Sequence, residues 1–265
     1  MTTATTAART VGLAPRAALL PSLAAVYRAQ LSRARVSRIP LLFVATFQSL
    51  GIMVMMRGVV GTGPSDTGAA RDVVAGSSVL VVAFVALNLL AQYFGRLKAS
   101  GGLDHYATLP VPAASVVLGT AAAYASFTVP GALLTAAVGC ALFQLSMLHL
   151  WILLLVVPLS GAALSGVGAA CGLLAGRQEI ATLLGQLGMS AALLLGVLPP
   201  GHMPEAVRWV RDLLPSTYGV DALARTFAGK PDWSAVTVDL AVCAAVGVIS
   251  LALSTWAYRR AATRN

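Results

Sequence analysis

Asp239 is the only acidic residue inside the long apolar stretches of this 265-residue chain. An ionisable side chain in hydrocarbon is costly, and it is kept for binding an ion or for pairing with another charge. A proton- or sodium-coupled carrier would place a carboxylate there. Asp239 lies about one and a half turns from the end of its stretch, so a reach to the headgroups is the plainer reading. Neutral polar groups are more numerous: Gln48, Asn88, Gln92, Gln144, Gln186 and Ser190. Each is a candidate to line a passage, and equally to bridge packed helices by hydrogen bonds.

Other chemistry lacks its usual signature. No G-x-x-x-x-G-K-[ST] loop occurs, and neither lysine, Lys98 or Lys230, follows a Gly-rich turn. The chain therefore cannot cradle a nucleotide by that route. H-E-x-x-H and G-x-S-x-G are both missing, which removes the common metalloprotease and serine-hydrolase readings. His105, His149 and His202 are scattered, and read as interfacial or loop histidines more readily than as metal ligands. Cys140, Cys171 and Cys243 sit in apolar runs without a C-x-x-C pair, as packing residues do. The chain is expected to bind no cofactor or metal of its own.

The elements that must position these groups are membrane spans. The composition is 58% hydrophobic and only 10% charged, with mean hydropathy +0.82. Soluble domains carry about 25% charged residues. A span needs roughly 20 apolar residues to cross about 30 Å of hydrocarbon, and six segments qualify: 39–56, 73–94, 113–143, 148–175, 180–198 and 234–258. Pro130 and Pro158 lie inside the third and fourth, and should kink or break them. The small pair Gly168 and Gly172 points weakly to close helix contact. The fold class is thus an all-α integral membrane protein of six transmembrane helices. Residues 1–38 form a cytoplasmic segment, 39–258 the six-span domain and 259–265 a tail. The basic N-terminus is interrupted by Pro15 and Pro21 and leads into no apolar run, so no cleaved leader is expected.

Arginine placement sets the orientation. With both ends in the cytoplasm, the inner segments carry twelve basic residues and the outer ones six, the latter offset by six acids. The net charge of +9 is dispersed. Its densest group, Arg28, Arg33, Arg35 and Arg38, precedes the first span and suits anionic lipid headgroups better than nucleic acid. Three segments between spans carry further structure. Residues 19–38 set Leu19, Leu23, Val26 and Leu31 at helical spacing against those arginines, as an interfacial amphipathic helix does. In the long inner loop, Gly101 and Gly102 break the chain before a short helix, 103–109, that is expected to expose Leu103, Tyr106 and Leu109 beside Asp104 and His105. In the outer segment 199–233, two short helices are expected: 204–214, and a second capped by Ser216 and running to about 228. They read as a re-entrant or interfacial pair.

Two stretches, with the basic N-terminal helix, carry a resemblance. Leu103–Tyr124, LDHYATLPVPAASVVLGTAAAY, holds Thr108, Leu109, Pro110, Val111 and Gly119. Leu194–Gly229, LLGVLPPGHMPEAVRWVRDLLPSTYGVDALARTFAG, holds Gly196, Pro200, Pro204, Trp209, Leu214, Pro215, Tyr218, Asp221, Ala222 and Arg225. Together they resemble the permease subunits of bacterial ABC-2-type transporters, including the daunorubicin-resistance type of drug exporter. The chain departs at Lys98–Gly102, where the family often has an acidic residue and a Gly-Thr pair.

The resemblance implies a non-catalytic, multi-pass subunit of a bacterial cell membrane. It would work with two copies of a separate ATP-binding subunit, which hold the ATP and Mg, and with a second permease copy or paralogue. The ATPase would meet Leu103, Asp104, Tyr106 and Leu109, with Arg28 and Arg35 of the N-terminal helix. Pro204, Trp209, Pro215, Tyr218, Asp221 and Arg225 would belong to helices capping the outer mouth. Spans two and five would line the route, with Gln48, Asn88, Gln92, Gln186 and Ser190 as candidate lining groups. The expected function is efflux of a hydrophobic drug, natural product or lipid-like substrate. The alternatives are lipid or polysaccharide export within the same family, or an ion-coupled carrier built on Asp239.

Overall fold

The computed structural model describes residues 18–37, 39–59, 67–197, 211, 214–228 and 231–262. Among these the regular structure is helical throughout. The helices are α1 (Leu19–Ser37), α2 (Ile39–Val59), α3 (Thr67–Ala83), α4 (Leu90–Ala99), α5 (Gly102–Thr108), α6 (Ala113–Phe143), α7 (Leu153–Leu174), α8 (Gln178–Val197), α9 (Pro215–Thr226) and α10 (Trp233–Ala262). A π-helical segment, Phe84–Leu89, joins α3 to α4 without a break, and a 3-10 turn, Leu150–Ile152, leads into α7. Six helical stretches are long and apolar enough to cross a membrane: Pro40–Gly58, Thr67–Ala99, Ala113–Phe143, Leu150–Leu174, Gln178–Val197 and Trp233–Ala262. The expected six-span, all-α fold is what the chain adopts, as a multi-pass membrane protein.

The second span is the axis of the bundle. In its most apolar window 89% of residues are buried, against 22% in the first and sixth. Those outer spans turn Phe43, Val44 and Phe47 of α2, and Val238, Val248 and Ile249 of α10, to the surroundings. The burial of the second span depends on small residues in its neighbours. A Cβ on Gly168 of α7 would sit 2.1 Å from Ala86 O, and one on Gly172 would sit 2.5 Å from Ala91 O. The small pair that was a weak signal in sequence is therefore where α7 lies backbone-to-backbone against the π segment and α4.

Two expectations about breaks change. Pro130 and Pro158 both lie within continuous helices, α6 and α7, and both face outward. There the ring meets no packed neighbour, and the preceding carbonyl is the only loss. The irregular span is instead the second. Its π segment falls where α3 gives way to α4, in a run with neither Pro nor Gly.

The N-terminal helix begins where expected, but its apolar side is turned onto protein. Ser22, Val26 and Gln30, one turn apart in succession, are buried. Val26 and Leu23 fill a notch at Gly119 of α6, where a Cβ would meet Val26 at 3.0 Å. Ser115 Oγ donates to Leu19 O at 3.2 Å, and Tyr27 Oη donates to Ser126 Oγ at 3.1 Å. Arg28, Ser32 and Arg33 stay on the outer face.

Candidate functional site

The two ends of the bundle carry the groups of interest, and they are built differently. At one end α4 stops at Gly101, whose positive φ of 69° closes the helix. The amide of Ser100 bonds back to Arg96 O at 2.9 Å. Glycine takes this left-handed turn without a Cβ penalty. α5 follows at once, a seven-residue helix ended by the extended Leu109 and Pro110.

Leu103 is fully buried. It anchors α5 among Leu90, Phe94, Val116 and Leu173, and this corrects its expected exposure. Helical geometry sends the first apolar residue of so short a helix inward when the following ones point out. His105 and Leu109 are exposed, and Tyr106 is half-buried. The side chains of Asp104 and Arg35 lie outside the described residues, whereas Arg28 is exposed on α1.

Lys98 is the residue whose role sequence reasoning missed. Its Nζ donates to Leu173 O and to Ala175 O, both at 2.9 Å. These are among the last carbonyls of α7, which no intrahelical N–H can reach. One ammonium thus ties the α4–α5 elbow to the end of the fourth span. A tyrosine cluster ties it to the rest. Tyr93 Oη accepts from Gln30 Nε2 of α1 at 2.6 Å, and its ring lies 6.1 Å from Tyr124 of α6. Tyr106 of α5 and Tyr258 of α10 pack into the same cluster. The only sequence trace of it is four tyrosines near span ends at one side of the bundle.

The opposite end is held by charge. Arg211 is buried and pairs with Asp221 of α9. Thr217 Oγ1 donates to Arg211 O at 2.6 Å, which fixes the approach of Arg211 to the start of α9. Arg225 Nε lies 3.0 Å from Asp239 Oδ2, off the axis of a straight hydrogen bond. Asp239 therefore has a cation partner from α9, and this accounts for a carboxylate placed inside the sixth span. Arg71 and Asp72, at the start of the second span, add to the same electrostatic group.

Pro215 occupies the first turn of α9 and its N-cap is Leu214, with no side-chain cap. Ser216 is buried instead of capping, which corrects the expected start; the helix also ends at Thr226, short of 228. Tyr218 is half-buried. The expected first outer helix, with Pro204 and Trp209, lies outside the described residues. At the start of α10, Asp232 accepts from Ser234 Oγ at 2.6 Å and from the amides of Ser234 and Ala235. The Ser234 hydroxyl first, and then the Ala235 amide, hold its carboxyl below the ordinary range.

The candidate lining residues do not gather in one place. Asn88 is buried in the π segment, and its Oδ1 accepts from Gln92 Nε2 at 2.7 Å. Gly185 of α8 packs against the backbone of Leu87 and Asn88. Gln186 and Ser190, one turn apart, are exposed on α8 beside Leu183, Leu187 and Leu194. Gln48 of α2 is half-buried. Among the described residues no cluster of three or more His, Cys, Asp or Glu is placed to hold a metal.

A family model described as ABC-2 type transporter matches residues 23–227. That range takes in α1, α5 and α9, the three elements outside the spans. No curated protein matches the chain.

Proposed function

The chain belongs to the ABC-2 type transporter family, and we propose that it is the permease subunit of an ATP-driven exporter in a bacterial cell membrane. Members of this family are typically non-catalytic membrane components and generally pair with an ATP-binding subunit. In this reading ATP and Mg are held by the partner, and the α5 end faces the cytoplasm. The single observation that supports it best is the construction of that end. α5 is anchored through Leu103, presents His105 and Leu109 outward, and is tied by Lys98 to α7. Through Tyr106 and Tyr93 it also adjoins α1, α6 and α10. A push on α5 from closing ATPases therefore reaches four helices at once, as a repacking mechanism requires.

Two permease copies complete the pathway. Gln186 and Ser190 stand exposed on a spanning helix, and such groups find hydrogen bonds only in water or in another protein surface. The substrate class is a hydrophobic drug, natural product or lipid-like molecule. Co-expression with the candidate ATP-binding subunits tests the whole reading. The chain should co-purify with one of them, and efflux should vanish when that subunit's ATP hydrolysis is abolished. Efflux that persists without any ATP-binding subunit would overturn it.

A further inference from the structure

A groove of about 380 Å³ opens on the flank of the bundle, between α6, α7 and α10, with Leu23 of α1 at one end. Leu118, Ala122, Ala125, Pro158 and Leu251 form its walls. It follows α6 from Leu118 to Val129, which at 1.5 Å per residue is about 16 Å. That is close to half of the roughly 30 Å hydrocarbon thickness, the depth of one leaflet. Small side chains leave the space, and no described residue fills it.

The hydroxyls that border it are already satisfied. Ser126 Oγ donates to Ala122 O at 2.9 Å and accepts from Tyr27 Oη. An apolar occupant therefore displaces no needed water contact, whereas a polar one finds no open partner there.

The charge around the groove has one sign. α1, α6 and α7 contain no acidic residue. The only one in α10, Asp239, lies near the far end of that helix, in its ion pair with Arg225. At the α5 end Arg28 is exposed one residue beyond Tyr27, and Arg259 and Arg260 are exposed in the last turn of α10. Arg260 is stacked 5.2 Å from the Trp256 ring.

From this geometry we infer that the groove is a binding site for an anionic phospholipid of the leaflet at the α5 end. One acyl chain lies along α6, and the headgroup faces Arg28 and Arg259. The orientation proposed above makes that the cytoplasmic leaflet. The site itself needs neither a transported substrate nor an ATP-binding subunit, so it stands or falls separately from the export reading.

The test uses the unmodified full chain in vesicles of equal phosphatidylglycerol and phosphatidylcholine, with a trace of either lipid carrying a photoreactive diazirine in its acyl chain. Labelling by the phosphatidylglycerol probe should concentrate on peptides containing residues 118–129 and Leu251. Ala125→Phe, which fills the groove, should remove that labelling and leave Val248 labelled as before. Arg28→Gln should lower the preference for phosphatidylglycerol over phosphatidylcholine about fivefold, the effect of one basic residue at an anionic surface. Three results would overturn the site: equal labelling of the exposed Val238, Val248 and Ile249, equal labelling by both headgroups, or cross-linking of groove residues to a second copy of the chain. The map on the unmodified chain decides the matter even if the filled variant does not fold.

Discussion

The two ends of this bundle solve the same problem, holding a short helix against long ones, with opposite chemistry. α9 is pinned by ion pairs: a buried Arg211 on Asp221, and Arg225 on Asp239. α5 is pinned by a buried leucine, by tyrosines and by one ammonium on backbone carbonyls. Charges at the α9 end are thus spent within the chain. At the α5 end the arginines of α1 and α10 face outward. An end whose charges answer one another is made to stay closed on itself, whereas an end with outward cations is made to meet something else.

The strongest way to break this contrast is Asp221→Ala. It leaves the Arg211 guanidinium buried without its carboxylate, and should cost about 3 kcal/mol. Thermal melting of the purified protein measures it. Arg28→Gln at the other end should stay within about 0.5 kcal/mol of the parent, and equal losses at the two ends would refute the contrast.

Lys98→Met keeps the aliphatic stem and removes the donor from two carbonyls. A loss of about 2 kcal/mol is expected, with faster amide exchange in α5 and the last turn of α7. Unchanged exchange there would mean that Leu103 alone holds the elbow. Arg225→Ala should cost less, about 1 kcal/mol after solvent screening, because the Arg225 side chain is 47% exposed. The difference should shrink in high salt, and a salt-independent loss would show that packing, not charge, secures that contact.

Asp232→Ala should give the smallest effect and the clearest pH signature. The Asp232 carboxyl is held below its ordinary range in the folded chain. Its contribution is therefore fully present above the unfolded value of about 4, and is lost as pH falls through the lower folded value. The melting difference between parent and variant should disappear on acidification; a difference that grows would reverse the assignment.

Much of this was legible in the sequence, because apolar length and arginine placement are one-dimensional signals. The starts and ends of α1, α5 and α6 fall within a residue or two of expectation. What stayed hidden depends on partners distant in the chain. Leu103 and Leu109 look equivalent in a string, yet one is the anchor and the other is exposed, and only the wall made by Phe94, Val116 and Leu173 tells them apart. Asp239 in isolation suggests ion coupling, and Arg225 reads as a loop charge, until folding sets them 3.0 Å apart. Ser216 has the right type for a cap, but Pro215 before it already starts the helix and Ser216 is buried.

The π segment has a mechanical meaning for the second span. Its wider turn inserts one residue into the count, so α4 is out of phase with α3 by about 100°. The span is a shaft with a step cut into it, close to where Gly168 and Gly185 press on its backbone. Torque entering at α5 travels up α4 as through a rigid rod, and then meets a section whose hydrogen bonds are longer in loop and poorer in geometry. Twist is absorbed there first, so the compliance of the shaft is concentrated in Phe84–Leu89, beside the Asn88–Gln92 pair.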